Sequence, residues 1–205
     1  MRDAFTIYRK ELRSYLVSPI PYVFLIIFTA FMSYMFFWHA EGQFFVRGKA
    51  TLEMGFCDLL RWVLVFLVPA ISMRLWSEEV RTGTLEQLMT MPVRTYSLVL
   101  GKFFSAWTLL FAALVLTLPI AITVSSLGDL DWGPVWGGYL GALLYGGALL
   151  ALGVWISALT GHQIVAFLIT LVVGVALIMI QFVGGTTKDG LAGIFDQLSL
   201  ATHYD

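Results

Sequence analysis

Charge is scarce in this chain. Of its 205 residues, 12% are Asp, Glu, Lys or Arg, against about 25% in an ordinary soluble domain. That is too little to coat a soluble globule of this size, and the 59% of hydrophobic residues fall in long blocks. The net charge of −1 supplies no field that would favour nucleic acid. Cysteine occurs once, at Cys57, so no disulfide can close within the chain. The three histidines, His39, His162 and His203, lie in three separate connectors, and H-E-x-x-H does not occur, which argues against a metal site. Gly101-Lys102 lacks a glycine at the required spacing upstream and is followed by Phe103, so it is not a phosphate loop. No serine stands in a G-x-S-x-G turn. An intramembrane enzyme would need paired acidic, His or Ser/Lys groups at membrane depth, and the apolar blocks offer none.

What is present is a series of apolar blocks long enough to cross a bilayer. They predict an all-α polytopic membrane protein with an N-terminal interfacial helix and five transmembrane helices. Residues 1–17 form the interfacial helix. Phe5, Tyr8, Leu12 and Tyr15 share one face, while Arg2, Arg9, Lys10 and Arg13 lie mostly off it. The spans are 19–38, 59–76, 103–124, 135–156 and 164–183. In the second, Arg61 sits near the outer end, where it can snorkel, with Asp58 one turn away as a partner. The third carries Pro119 near its outer end, followed by a short acidic loop with Asp129 and Asp131. The fourth is rich in glycine: Gly137, Gly141, Gly146, Gly147 and Gly153 leave room for close helix contact. Residues 184–205 form a polar tail. Lys and Arg placement sets the orientation. Arg2, Arg9, Lys10, Arg13, Arg74, Arg81, Arg94 and Lys102 fall on the N-terminal side, and Arg47, Lys49, Arg61 and Lys188 on the other. Eight against four places the N-terminus and residues 77–94 in the cytoplasm and the tail outside.

Residues 77–94 are the most polar stretch of the chain. Glu78, Glu79 and Arg81 open it, and Thr82-Gly83 breaks the helical pattern. Thr84-Leu85-Glu86-Gln87 then reads as a capping box, in which Thr84 bonds a free backbone N–H and Gln87 reaches back. Leu85, Leu88 and Met89 form one apolar face, and Met91-Pro92 stops the helix. A helix of about two turns is unstable alone in water. It must therefore pack on the ends of its own spans or on a partner protein. Glu86 and Gln87 take the exposed side, while Leu85 and Leu88 either pack inward or fill a partner's pocket.

At this point a resemblance becomes specific. The stretch PAISMRLWSEEVRTGTLEQLMTMPVRTYSLVLGKF, residues 69–103, is similar to the membrane subunits of ABC-2 type ABC transporters. The shared pattern is E-x-x-x-G-T-L-E-x-L-L-x-x-P-V followed by Gly-Lys before the third span. Glu79, Gly83, Thr84, Leu85, Glu86, Leu88, Pro92, Val93, Gly101 and Lys102 match it. The leading P-A-x-x-M-R-x-W-x-E-E resembles the branch named for gliding-motility permeases, and the order of spans matches along the whole chain.

The resemblance implies a single transmembrane permease domain over 1–205. It implies that residues 77–94 carry a coupling helix docking on a separate ATP-hydrolysing subunit, with Glu79, Arg81, Gly83, Thr84, Leu85, Glu86, Leu88 and Pro92 at that interface. The partners implied are two copies of the ATPase, which hold ATP and magnesium, and a second permease half, identical or homologous. This chain would bind no cofactor and catalyse nothing. The location implied is a cell membrane, the bacterial inner membrane, and the direction implied is export. Family members usually have six spans. The segment 198–205 resembles the outer stretch before the sixth, so the last span is expected to be absent here and 184–205 to be an outer re-entrant region. A membrane scaffold whose polar helix recruits a partner other than an ATPase is the competing reading.

Overall fold

A computed structural model describes residues 2–38, 56–90, 94–128 and 130–184. Among the described residues the chain is all-helical, with eight helices. They are α1 (Arg2–Val17), α2 (Pro19–Trp38), α3 (Phe56–Ser72), α4 (Ser77–Thr82), α5 (Thr84–Thr90), α6 (Thr95–Leu127), α7 (Trp132–Leu159) and α8 (Gln163–Gly184). Five segments are long and apolar enough to cross a membrane, one each on α2, α6, α7 and α8 and one starting with α3. Residues 39–55 of the connector expected over 39–58, the stop at Met91-Pro92 and residues 185–205 of the tail expected over 184–205 lie outside the described residues, while 56–58 already belong to α3 and Gly184 ends α8.

Helices α1 and α2 begin and end where the sequence places them. Pro19 opens α2, a position where the missing N–H costs no hydrogen bond. Helix α6 begins eight residues before the third expected span. Its 33 residues make a rod of about 50 Å at ~1.5 Å per residue, against about 30 Å of hydrocarbon. The first two turns therefore project beyond the apolar slab, on the side where α3 ends. The Asp131 carboxylate caps α7 by accepting the Gly133 N–H at 3.0 Å.

The core lies where α3, α6, α7 and α8 meet, around Leu64, Val68, Leu110, Leu149 and Leu150, all fully buried. Glycines of α7 bring the helices together, as side chains there would collide with the neighbours. A Cβ would lie 2.6 Å from Leu110 at Gly146, 3.0 Å from Trp107 at Gly147 and 2.2 Å from Ser72 at Gly153. Gly137 meets nothing within 4 Å among the described residues. Arg61 pairs with Asp58 at 3.5 Å as expected. It does not snorkel into the open, since its side chain is only 7% exposed.

Helix α1 is docked mainly on α6, and the docked face differs from the one the periodicity picks out. Ile7 and Tyr15 pack on the core, while Phe5 is 65% exposed. The Tyr8 and Thr108 hydroxyls meet at 3.1 Å. Glu11, which the hydrophobic pattern leaves off the face, turns toward α6. Phe5, Leu16 and Val17 form an exposed apolar flank, as a helix in a membrane interface has.

Candidate functional site

The polar stretch folds as two short helices joined at a glycine. After Ser72 the chain leaves α3 through a turn at residues 73–76 and re-enters helix at Ser77. The first N–H groups of any helix lack partners in that helix. Here the acceptor comes from another span. Ser157 Oγ of α7 accepts the N–H groups of Trp76 and Ser77, each at 3.2 Å, and donates to the Met73 carbonyl at 3.2 Å. One hydroxyl thus fixes the direction in which α4 leaves the membrane span.

Helix α4 ends at Gly83, whose φ of +72° is the left-handed conformation that glycine adopts without strain. The Gly83 N–H returns to the Val80 carbonyl at 3.3 Å. Helix α5 follows at once. The Thr84 hydroxyl makes a contact that the expected capping box does not include. It meets Thr82 Oγ1 at 2.9 Å, and Thr82 in turn donates to the Glu78 carbonyl at 2.8 Å. These threonines tie α4 to α5 across the glycine.

The side chains of this segment divide by face. Leu85 and Leu88 are half-buried against the core, so part of each side chain packs inward. Arg81, Gly83, Thr84, Glu86, Gln87 and Thr90 are exposed. Glu79 turns inward. Pro92 lies outside the described residues.

Glu79 points at Lys102, and Lys102 is the centre of the site. It sits on the projecting first turns of α6 and is 3% exposed. Its Nζ donates to Glu79 Oε1 at 2.5 Å and to the Leu75 carbonyl at 2.8 Å, and pairs with Glu11 Oε1 at 3.4 Å. It also lies 5.0 Å from the centroid of the Trp76 ring. A single ammonium therefore joins α1, the turn after α3, α4 and α6. A buried charge is tolerated only when paired and hydrogen-bonded in this way. Next to the cluster, burial pushes the Tyr15 phenol up, and the Glu11 carboxylate adds to that shift.

The residue before Lys102 has a part in the same geometry. A Cβ at Gly101 would lie 2.8 Å from Ile7 Cγ2 and 3.1 Å from the Ala4 carbonyl oxygen. Glycine here lets α1 lie against α6 closely enough for Glu11 to reach Lys102. Gly101 and Lys102 were visible in the sequence as a motif, but their work was not. A lysine among apolar residues signals an internal partner, yet its partners are far away in the chain. Ser157 gave no signal, being one hydroxyl in an apolar run.

Among the described residues no cluster of three or more His, Cys, Asp or Glu could hold a metal ion. The exposed edge of α4 and α5 is instead braced from behind: through Lys102 to α1 and α6, and through Ser157 to α7. The family described as "ABC-2 family transporter protein" matches residues 51–201 of the chain. No curated protein and no solved structure matches it.

Proposed function

The chain belongs to the ABC-2 transporter family and is a multi-pass membrane protein, and we propose that it is the membrane-spanning subunit of an ATP-driven exporter of the gliding-motility-permease-like branch. In this reading α4 and α5 are the coupling element. Two ATPase subunits carry ATP and magnesium and do the hydrolysis. A second permease half, identical or related, completes the path. The membrane is a bacterial inner membrane, with the N-terminus and the coupling element in the cytoplasm.

The observation that carries this reading is the braced, exposed helix pair. Helix α5 has seven residues, too few to hold together alone. Its apolar residues Leu85 and Leu88 pack in part against the chain's own core. The exposed edge with Arg81, Glu86 and Gln87 is free of internal duties and rigidly mounted, as a force-transmitting contact requires. ATP binding then shifts the spans between two packings by differential binding energy.

Glu86 offers a carboxylate to basic groups of the ATPase. Reversing its charge places like charges together, which at an interface costs several kcal/mol. Glu86→Arg is expected to weaken ATPase association by about a hundredfold, ~2.7 kcal/mol, while the chain still inserts. Co-purification of the ATPase with wild-type and variant chains at equal membrane levels measures this. Unchanged association would remove Glu86 from the interface.

A further inference from the structure

The end of α7 lies along the junction between α3 and α4. Gly153 and Ser157 are four residues apart on α7, and Gly161 follows four further on, just past its end. At Gly153 a Cβ would collide with Ser72 Oγ, and at Gly161 it would lie 3.5 Å from Val80 Cγ1. Between them Ser157 is fully buried against the turn at residues 73–76.

Ser157 stands in for part of a helix backbone. In a continuous helix the N–H groups of Trp76 and Ser77 would donate to the carbonyls of Ser72 and Met73. Here both donate to Ser157 Oγ instead. The two carbonyls have taken other donors. Ser72 accepts the Leu75 N–H at 3.1 Å in a tighter turn, and Met73 accepts the hydroxyls of Ser157 and Ser77. A side chain inserted into the i→i−4 bonds in this way bends a helix.

The same bonds can be made without the insertion. A serine inside a helix can donate to the carbonyl four residues back, which for Ser157 is that of Gly153. With Ser157 turned there, the Trp76 and Ser77 N–H groups would reach Ser72 and Met73, and α3 and α4 would become one helix. Each arrangement satisfies the same three donors, so neither leaves a buried N–H or O–H unpaired. Lys102, which holds the Leu75 carbonyl and Glu79, favours the bent one.

We propose that Ser157 is the positioning residue of a two-position joint: it holds α4 bent over α7, and its release lets α4 run on from α3, carrying α5 with it. In each position α4 is held by a complete set of hydrogen bonds, so it is rigid in both, and packed elements of this kind switch rather than drift. As the mount of a coupling element the joint rests on the function proposed above. As a joint it is tested on the chain alone, with no ATPase present.

The test uses the full chain in liposomes, with Val80→Cys and Gly161→Cys on a Cys57→Ser background. These positions are within reach of a disulfide while α4 lies over α7. The rate of disulfide formation under a mild oxidant, counted by the thiols left for a maleimide reagent, reads the bent fraction. Adding Ser157→Ala should lower that rate by about tenfold, because two buried N–H groups lose their acceptor. Hydrogen exchange read by mass spectrometry, on chains without the two new cysteines, separates release from damage. In Ser157→Ala the amides of Trp76 and Ser77 should stay protected, since they pass to Ser72 and Met73. A crosslinking rate unchanged by Ser157→Ala would overturn the proposal. So would a lower rate accompanied by loss of protection at residues 76 and 77, which would mean that the bridge merely holds one structure together.

Discussion

Lys102→Met is expected to destabilise the folded chain by about 3 kcal/mol, because removing one partner of a buried ion cluster leaves the others charged and unpaired. Methionine keeps most of the side-chain volume, so little of the loss comes from a cavity. What remains is Glu79 and Glu11 facing each other without the ammonium that joined them, and a Leu75 carbonyl without its donor. Both carboxylate side chains are 22% exposed and recover some hydration, which places the cost at the lower end of the usual range for such losses. The double variant Lys102→Met, Glu79→Gln should regain more than half of the lost stability, since it removes an orphaned charge. Unfolding by denaturant in mixed micelles, followed by tryptophan fluorescence, gives both numbers. A midpoint unchanged in Lys102→Met would show that the cluster is not holding α1, α4 and α6 together.

Gly101→Val should act on the same joint from its other side. The new Cβ would stand 2.8 Å from Ile7 Cγ2 and 3.1 Å from the Ala4 carbonyl oxygen. The Ile7 side chain can shift, but the Ala4 backbone moves only with the whole of α1. Overpacking of this kind costs about 2 kcal/mol. Here it is relieved by undocking α1, which breaks the Tyr8–Thr108 contact and draws Glu11 from Lys102. Arg9, Lys10 and Arg13 are already exposed, but undocking lets α1 unwind so that trypsin can take up the backbone beside them, and cleavage within α1 should accelerate by about tenfold, the factor for ~1.4 kcal/mol of docking energy. Gly137→Ala is the control, since among the described residues nothing lies within 4 Å of its Cβ position, and it should leave both stability and cleavage as they were. Equal cleavage of Gly101→Val and wild type would mean that α1 is not held by close approach at this glycine.

Hydropathy exposed most of the fold. The five crossing helices are long, mostly apolar runs, and bilayer thickness leaves such runs few other fates. It did not show that 95–102 belongs to α6, because that stretch lies before the apolar run yet is helical. Hydropathy reports depth in the membrane, and helicity there is secured by α1 lying alongside. It also misread α1, where the periodic face contained Phe5 and omitted Glu11. The partner of that face is not purely apolar: it includes a buried ammonium, so a glutamate belongs on it. The break at Gly83 was legible, because a left-handed turn selects glycine. The contact between the Thr82 and Thr84 hydroxyls was not legible, since it depends on the turn at Gly83. The Ser157 bridge had no sequence signature. Its acceptor role depends on α7 passing the turn after α3, and only tertiary packing brings them together.

The most direct test of the account is to purify the chain from its native membrane in gentle detergent and identify by mass spectrometry what accompanies it. The account predicts an ATP-hydrolysing subunit in near-equal amount, lost when the sequence of 84–89 is scrambled although the chain still folds and inserts. A folded, inserted wild-type chain that brings no ATPase with it, or one that keeps its ATPase after the scramble, would contradict the assignment of α4 and α5 as the coupling element.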